Sequence, residues 1–159
     1  MTTKEIFADY FQIYLCDADH LEDWSAEWND QTLDDRIVTL KHTAVFCTGR
    51  NMMVPVDIVI HAAPPDVNAL AVAADHAVQG GIACASGALK LAGCTEYLPD
   101  AFTFEMRAGP VGVVFLSYDL DKIEPVERLE GEDRYALHVW PVPSEPETKV
   151  LKRWKDNAR

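Results

Sequence analysis

Val54, Val56, Ile58 and Ile60 form the longest clean apolar alternation in the chain, and a period of two marks a strand with one face buried. Residues 10–16 show the same period, with Phe11, Ile13 and Leu15 set against Tyr10, Gln12 and Tyr14. They are read as the first strand. Residues 36–40, 43–48, 82–85, 88–92 and 102–106 add short apolar pieces, at a spacing typical of a sandwich or barrel. Residues 111–118 follow Ala108-Gly109-Pro110, so 102–106 and 111–118 read as a hairpin. A last strand spans 134–142, where Tyr135, Leu137 and Val139 alternate with His138 and Trp140 before Pro141, Pro143 and Pro146 end it.

Two stretches depart from this pattern. Ala63-Pro64-Pro65-Asp66 marks a loop, because proline lacks the amide donor and restricts the residue before it. The alanine-rich 69–78 segment after it has helical composition, yet Leu70 and Val72 alternate and Gly80-Gly81 has tight-turn chemistry; it is read as a strand. Residues 21–30 place Trp24 and Trp28 four apart in an acidic stretch, which predicts a short helix or turn with both indoles on one face. Together these predict a mainly β chain: a two-sheet, mostly antiparallel β-sandwich with one short helix and an irregular C-terminal tail. A single domain over 1–148 and a basic tail over 149–159 are expected. The expected core is Phe11, Ile13, Leu15, Val56, Ile58, Ile60, Phe104, Val113, Phe115, Leu137 and Val139.

Composition narrows the function. The chain has 159 residues, 48% hydrophobic, enough for one core without disulfide or metal staples. Its net charge of −12 repels a phosphate backbone, so nucleic acid is not an expected partner. No apolar run approaches a membrane span and the start lacks the pattern of a secretory signal, so a cytoplasmic protein with no membrane partner is expected. The cysteines at 16, 47, 84 and 94 lack zinc-knuckle or redox spacing and read as buried thiols.

No motif names a reaction. Asp17-Ala18-Asp19-His20 offers metal-ligand chemistry, but Glu22 and Asp23 fall out of register with a calcium loop, and a solvated acidic loop is the plainer reading. Asp119 and Asp121 flank Leu120 as a pair of carboxylates at a strand end, also the pattern of a soluble edge. Ser86 lacks the preceding glycine of a nucleophile elbow and reads as a turn residue. The five histidines include no pair three or four apart, and the glycines have neither phosphate-loop nor dinucleotide spacing. No cofactor is expected.

The charge map is uneven. Residues 17–35 carry eight acids and no Lys or Arg, while 119–133 carry seven acids against Lys122 and Arg128. The last eleven residues have a net charge of +4, leaving −16 on the rest. One reading is solubility, with the tail lying across its own acidic loops. The other is steering of a basic partner, with the tryptophans as anchors. On that reading Asp17, Asp19, Glu22, Asp23, Trp24, Trp28, Glu124, Glu127 and Glu130 contact the partner.

The order of pieces resembles the competence protein J family, small bacterial nuclease inhibitors. The resemblance is carried by Tyr10-Phe11-Gln12-Ile13-Tyr14, the Trp-bearing segment after it, Gly81-Ile82-Ala83-Cys84-Ala85-Ser86 before a turn, and Tyr97-Leu98-Pro99-Asp100 before a strand. The second half also looks like a group of uncharacterised bacterial proteins, through 92–100, Gly131-Glu132-Asp133-Arg134-Tyr135, Trp140-Pro141 and 150–154. The first resemblance implies a β-sandwich that binds and blocks a nuclease. The expected function is therefore a non-enzymatic immunity protein or nuclease inhibitor that occludes a basic protein such as a nuclease or toxin. The alternatives are a small metal-dependent hydrolase using Asp17, Asp19, Asp119 or Asp121, and a scaffold protein without inhibitory role.

Overall fold

The computed structural model describes residues 1–155. Its strands are β1 (Thr2–Phe7), β2 (Gln12–Asp17), β3 (Ile37–Thr39), β4 (Thr43–Cys47), β5 (Met53–Ile60), β6 (His76–Cys84), β7 (Ala88–Gly93), β8 (Phe102–Glu105), β9 (Gly109–Tyr118), β10 (Arg134–Pro141) and β11 (Lys149–Lys152). They form a six-stranded sheet in the order β1-β5-β10-β9-β6-β11 and a five-stranded sheet in the order β3-β4-β2-β7-β8. β5 and β10 run parallel and the other pairs run antiparallel, as a mostly antiparallel sandwich requires. Among the described residues no helix is long and apolar enough to cross a membrane.

Inward-facing residues of both sheets make one core, including Ile13 and Leu15 of β2, Phe46 of β4, Val56 and Ile58 of β5, Val113 and Phe115 of β9, and Leu137 and Val139 of β10. Phe46 and Phe115 stack across the sheets, ring centroids 4.5 Å apart. The outer face of the six-stranded sheet is covered by α2 (Val67–Val72), with Ala71 against Val114, Leu116 and Trp140. On the outer face of the five-stranded sheet, Tyr14, Val38 and Val45 are covered by Trp24, Trp28 and Leu98. Burial on both faces explains why β2 carries apolar residues at successive positions.

Several local expectations are corrected. Residues 67–72 are helical because Asp66 caps the helix, its carboxylate accepting the Ala69 N–H at 3.1 Å; the strand begins only at His76. Gly80 and Gly81 lie inside β6 rather than in a turn. A Cβ on Gly80 would come within 2.9 Å of Thr39 of the facing sheet, and one on Gly81 within 2.7 Å of Glu145 and Pro146, so these glycines permit close approach on both faces of β6. Strands β8 and β9 are no hairpin, since β8 pairs with β7 and β9 pairs with β6 and β10 in the other sheet. A second short helix, α1 (Asp30–Asp35), is closed by a reciprocal cap between Asn29 and Thr32. Phe11 is only half-buried and Ile60 is 51% exposed, so both leave the expected core. The first strand is β1, ahead of the one expected. Its edge position leaves only Ile6 buried and hides the alternation.

The expected tail divides. Lys149–Lys152 are the edge strand β11 on β6, Arg153 and Trp154 continue along the body, and residues 156–159 lie outside the described residues.

Candidate partner interface

The first acidic connection runs from β2 to β3 and is fastened from beneath. Asp17 is fully buried. One of its oxygens accepts from the Ser86 amide and hydroxyl, both at 2.8 Å, and the other accepts from His20 Nδ1 at 2.7 Å and the Asp19 amide at 3.1 Å. Burial alone would raise the Asp17 pKa, but these hydrogen bonds outweigh it and hold the carboxyl at about 2. Asp17 is therefore a structural anchor, and its place among the expected contact residues is corrected. Glu22 Oε1 binds the His42 amide at 2.6 Å and the Thr43 hydroxyl at 3.0 Å, pinning the loop to the start of β4. Trp24 donates to Gln12 Oε1 at 2.9 Å and lies 4.7 Å from the Tyr14 ring. Asp19 and Asp23 remain exposed. The short helix or turn expected around Trp24 and Trp28 is a 3₁₀ turn over Ser25–Glu27 with the tryptophans at its two ends, both packed on the outer face of the five-stranded sheet.

The second acidic connection, between β9 and β10, is fastened at its ends and at Arg128, whose carbonyl accepts the Asn51 amide at 3.0 Å. Leu120 and Ile123 enter the core, and Asp133, fully buried, lies 2.8 Å from Arg50 Nε as an ion pair not aligned as a hydrogen bond. The Tyr135 hydroxyl donates to Asp133 Oδ2 at 2.5 Å and accepts from the Gly49 amide at 2.9 Å. Burial and the adjacent Asp133 push the Tyr135 pKa well up. Between these ends the tip stands clear: Glu127 and Glu130 are exposed, with Val126 at 84%. Glu124 turns inward to accept the Val126 and Glu127 amides, both at 2.8 Å, and its pKa is lowered by those bonds. It shapes the tip rather than extending its charge.

Both connections open onto one groove of about 690 Å³. The first contributes Trp28, Asp30 and Asp34, and the second contributes Arg128. Among the described residues, five residues other than glycine have positive φ, and four of them line this groove: Tyr10 (56°), Phe11 (61°), Arg36 (65°) and Arg128 (57°). A left-handed backbone costs a side-chain-bearing residue about 1–2 kcal/mol, and such strain gathers where a site needs a fixed shape. Tyr10 is held there by the Asn51 side chain, which accepts its amide at 2.9 Å, and the residue is 67% exposed. Among the described residues, the buried Trp28 Nε1–H has no hydrogen-bond partner. The sequence reading missed Tyr10, Phe11, Arg36 and Arg128 as site residues. The available signal was an arginine at the end of one acidic run and inside the other.

The C-terminal segment closes the far side of the first connection. Arg153 reaches Asp35 at 2.6 Å and the Asp34 carbonyl at 2.9 Å. Beside it, buried His76 donates from Nε2 to the Asp35 carbonyl at 2.9 Å and accepts the Trp154 amide at Nδ1, 3.0 Å, which fixes the neutral tautomer. Burial lowers the His76 pKa to about 4.

The other chemistry weighed from the sequence is not assembled. Ser86 and His20 both bond to Asp17 rather than to each other, the reverse of a nucleophile activated by its base. Asp119 pairs with Lys122 at 3.5 Å and Arg134 at 3.7 Å on the other connection. No group of three or more metal-ligating side chains occurs among the described residues. Burial raises the thiol pKa of Cys16 to about 11 and of Cys47 to about 12, and those of Cys84 and Cys94 also rise. None is poised as a thiolate.

No protein-family profile matches the chain, and no curated protein matches it by sequence. The fold is similar to two solved structures. One is ComJ from Bacillus subtilis, described as an inhibitor of the DNA-degrading activity of NucA: TM-score 0.69, 10% identity, 89% of this chain and 96% of that one. The other is the product of crocagin biosynthetic gene J: TM-score 0.54, 12% identity, 88% of this chain and 94% of that one. The resemblance read from the sequence thus holds at the level of the fold.

Proposed function

We propose that this protein is a non-enzymatic inhibitor of a basic nuclease, acting in the cytoplasm by covering the nuclease surface. The observation that carries the reading is the meeting of two acidic connections, distant in sequence, at one groove with a strained, pre-shaped backbone, whose own lining sets Asp30 and Asp34 against Arg36 and Arg128. A rigid groove avoids the ordering cost that weakens flexible binders. Asp19, Asp23, Glu127 and Glu130, outside the groove's lining, supply the exposed charge that speeds encounter, Glu22 and Glu124 hold the loops in shape, and Trp24 and Trp28 fasten the first loop to the sheet. The described inhibitory activity of ComJ, on a similar fold, supports the same reading.

The test is affinity capture from the source cell at low salt, followed by DNA-degradation assays on what is captured. The expected result is a basic protein whose DNA cleavage stops when this chain is added in equimolar amount. Capture of partners without nuclease activity, or cleavage that continues in the complex, contradicts it.

A further inference from the structure

A second cleft, of about 640 Å³, opens on the other side of the Trp-bearing loop, over the outer face of the five-stranded sheet. Tyr14, nearly fully buried beneath Trp24, lies at its floor; Trp24 and the 70% exposed Tyr97 line it; the acids Glu22, Asp23 and Glu96 line it too, Glu22 with one oxygen already bound at the start of β4. Each carboxylate is oriented by a bond to its own chain: Glu22 to the His42 amide, Asp23 Oδ1 to the Ser25 amide at 2.9 Å, and Glu96 Oε2 to the Gly93 amide at 3.2 Å. A carboxylate has about four acceptor sites, so these bonds fix the groups without exhausting them. Lys90 is directed to the Leu98 carbonyl at 3.0 Å, one cation against the three acids.

We infer that this cleft binds an arginine side chain projecting from a partner protein. Aromatic rings attract a cation through their faces, and fixed carboxylates accept from one. A planar guanidinium satisfies both at once, stacking with its face while donating from its edge, which a compact ammonium cannot do. An apolar side chain would leave the remaining acceptor sites of these carboxylates unused, and an anion would be repelled. The cleft is separate from the groove between the two acidic loops, and the inference holds whether or not the partner is a nuclease.

The test uses the whole protein and N-acetyl-arginine amide, followed through the Trp24 indole N–H resonance assigned with Trp24→Phe. The expected result is saturable binding with Kd of about 1 mM, as a single side chain gives, and at least tenfold weaker binding of the neutral isostere N-acetyl-citrulline amide. Tyr97→Ala, at an exposed position, should weaken binding about threefold; Asp23→Asn with Glu96→Gln should weaken it about tenfold, with the circular dichroism unchanged in both. Free L-arginine, which carries its own carboxylate, should bind less well than the capped form. Equal affinity for arginine and citrulline, equal affinity for the lysine analogue, tighter binding of free arginine, or indifference to both variants overturns the inference. Arginine binding without nuclease capture contradicts only the proposed function, whereas nuclease inhibition with no arginine binding contradicts only this inference.

Discussion

The two acidic connections have similar densities of acidic residues and different construction. The segment from Asp17 to Asp35 is fastened along its length: Asp17 is buried, Glu22 is pinned to β4, the tryptophans lie on the sheet, and Arg153 clasps its end. The segment from Asp119 to Asp133 is fastened at its ends, by Leu120, Ile123 and the Asp133–Tyr135–Arg50 cluster, and at Arg128, whose carbonyl accepts the Asn51 amide at 3.0 Å, while its tip around Val126 and Glu127 projects. A count of acids therefore says little about which are available to a partner. Of the contacts expected from sequence, Asp17 is an internal acceptor, Glu22 and Glu124 are bound to the chain's own backbone, Asp23 is exposed with one oxygen accepting from Ser25, and Asp19, Glu127 and Glu130 face outward.

This contrast is breakable at its anchors. Asp133→Ala leaves the nearly buried Arg50 without its counter-charge, and unfolding in urea should show a loss of about 3–5 kcal/mol. Glu130→Gln in the same connection should change stability by less than about 0.5 kcal/mol. A loss as large for Glu130 as for Asp133 would erase the distinction between anchor and tip.

Acid should act first on the first connection. His76 refuses its proton in the folded state until about pH 4, whereas the unfolded chain accepts it near 6.5. Its contribution to stability is intact above pH 6.5, declines as pH falls towards 4, and is flat below; the total is about 3 kcal/mol. Equilibrium unfolding at pH 7 and pH 4.5 should show this slope, and His76→Gln should remove it. Asp17→Ala should cost about 2–3 kcal/mol by the same measurement, through loss of charged hydrogen bonds to Ser86, Asp19 and His20. With Asp17 held at about 2, its contribution persists above pH 3.8 and is lost only between 3.8 and 2.

What the sequence made legible follows from how each element is buried. The alternation of Val54, Val56 and Ile58 is visible because β5 has one face in the core. β1 is invisible because an edge strand with Thr2, Thr3, Lys4 and Glu5 outward buries only Ile6. The helix at 67–72 is legible in its Asp66 cap, against which the Leu70–Val72 alternation points to a strand. The pairing of β8 was beyond reach, because proximity in sequence does not say which of two sheets a strand joins. At the interface, the acidic loops and tryptophans were visible as composition. The groove was not, because left-handed backbone at Tyr10, Phe11, Arg36 and Arg128 carries no glycine to announce it. Nor does composition separate Asp17 from Asp19, whose burial depends on Ser86, sixty-nine positions from Asp17.

The smallest expected effect on stability accompanies the most direct test of the account. Asp19→Asn, Asp23→Asn, Glu127→Gln and Glu130→Gln together should leave folding within about 1 kcal/mol of the wild type, since all four are exposed. The decisive measurement is the association rate of this variant and of the wild type with the captured nuclease across ionic strength. As the Debye length shrinks from about 10 Å at 0.1 M to about 3 Å at 1 M, the wild-type rate should fall at least tenfold towards the variant's slow, nearly salt-independent rate, with dissociation little changed. Wild type and variant associating at the same rate, with the same salt dependence, would contradict the claim that the exposed acids recruit the partner.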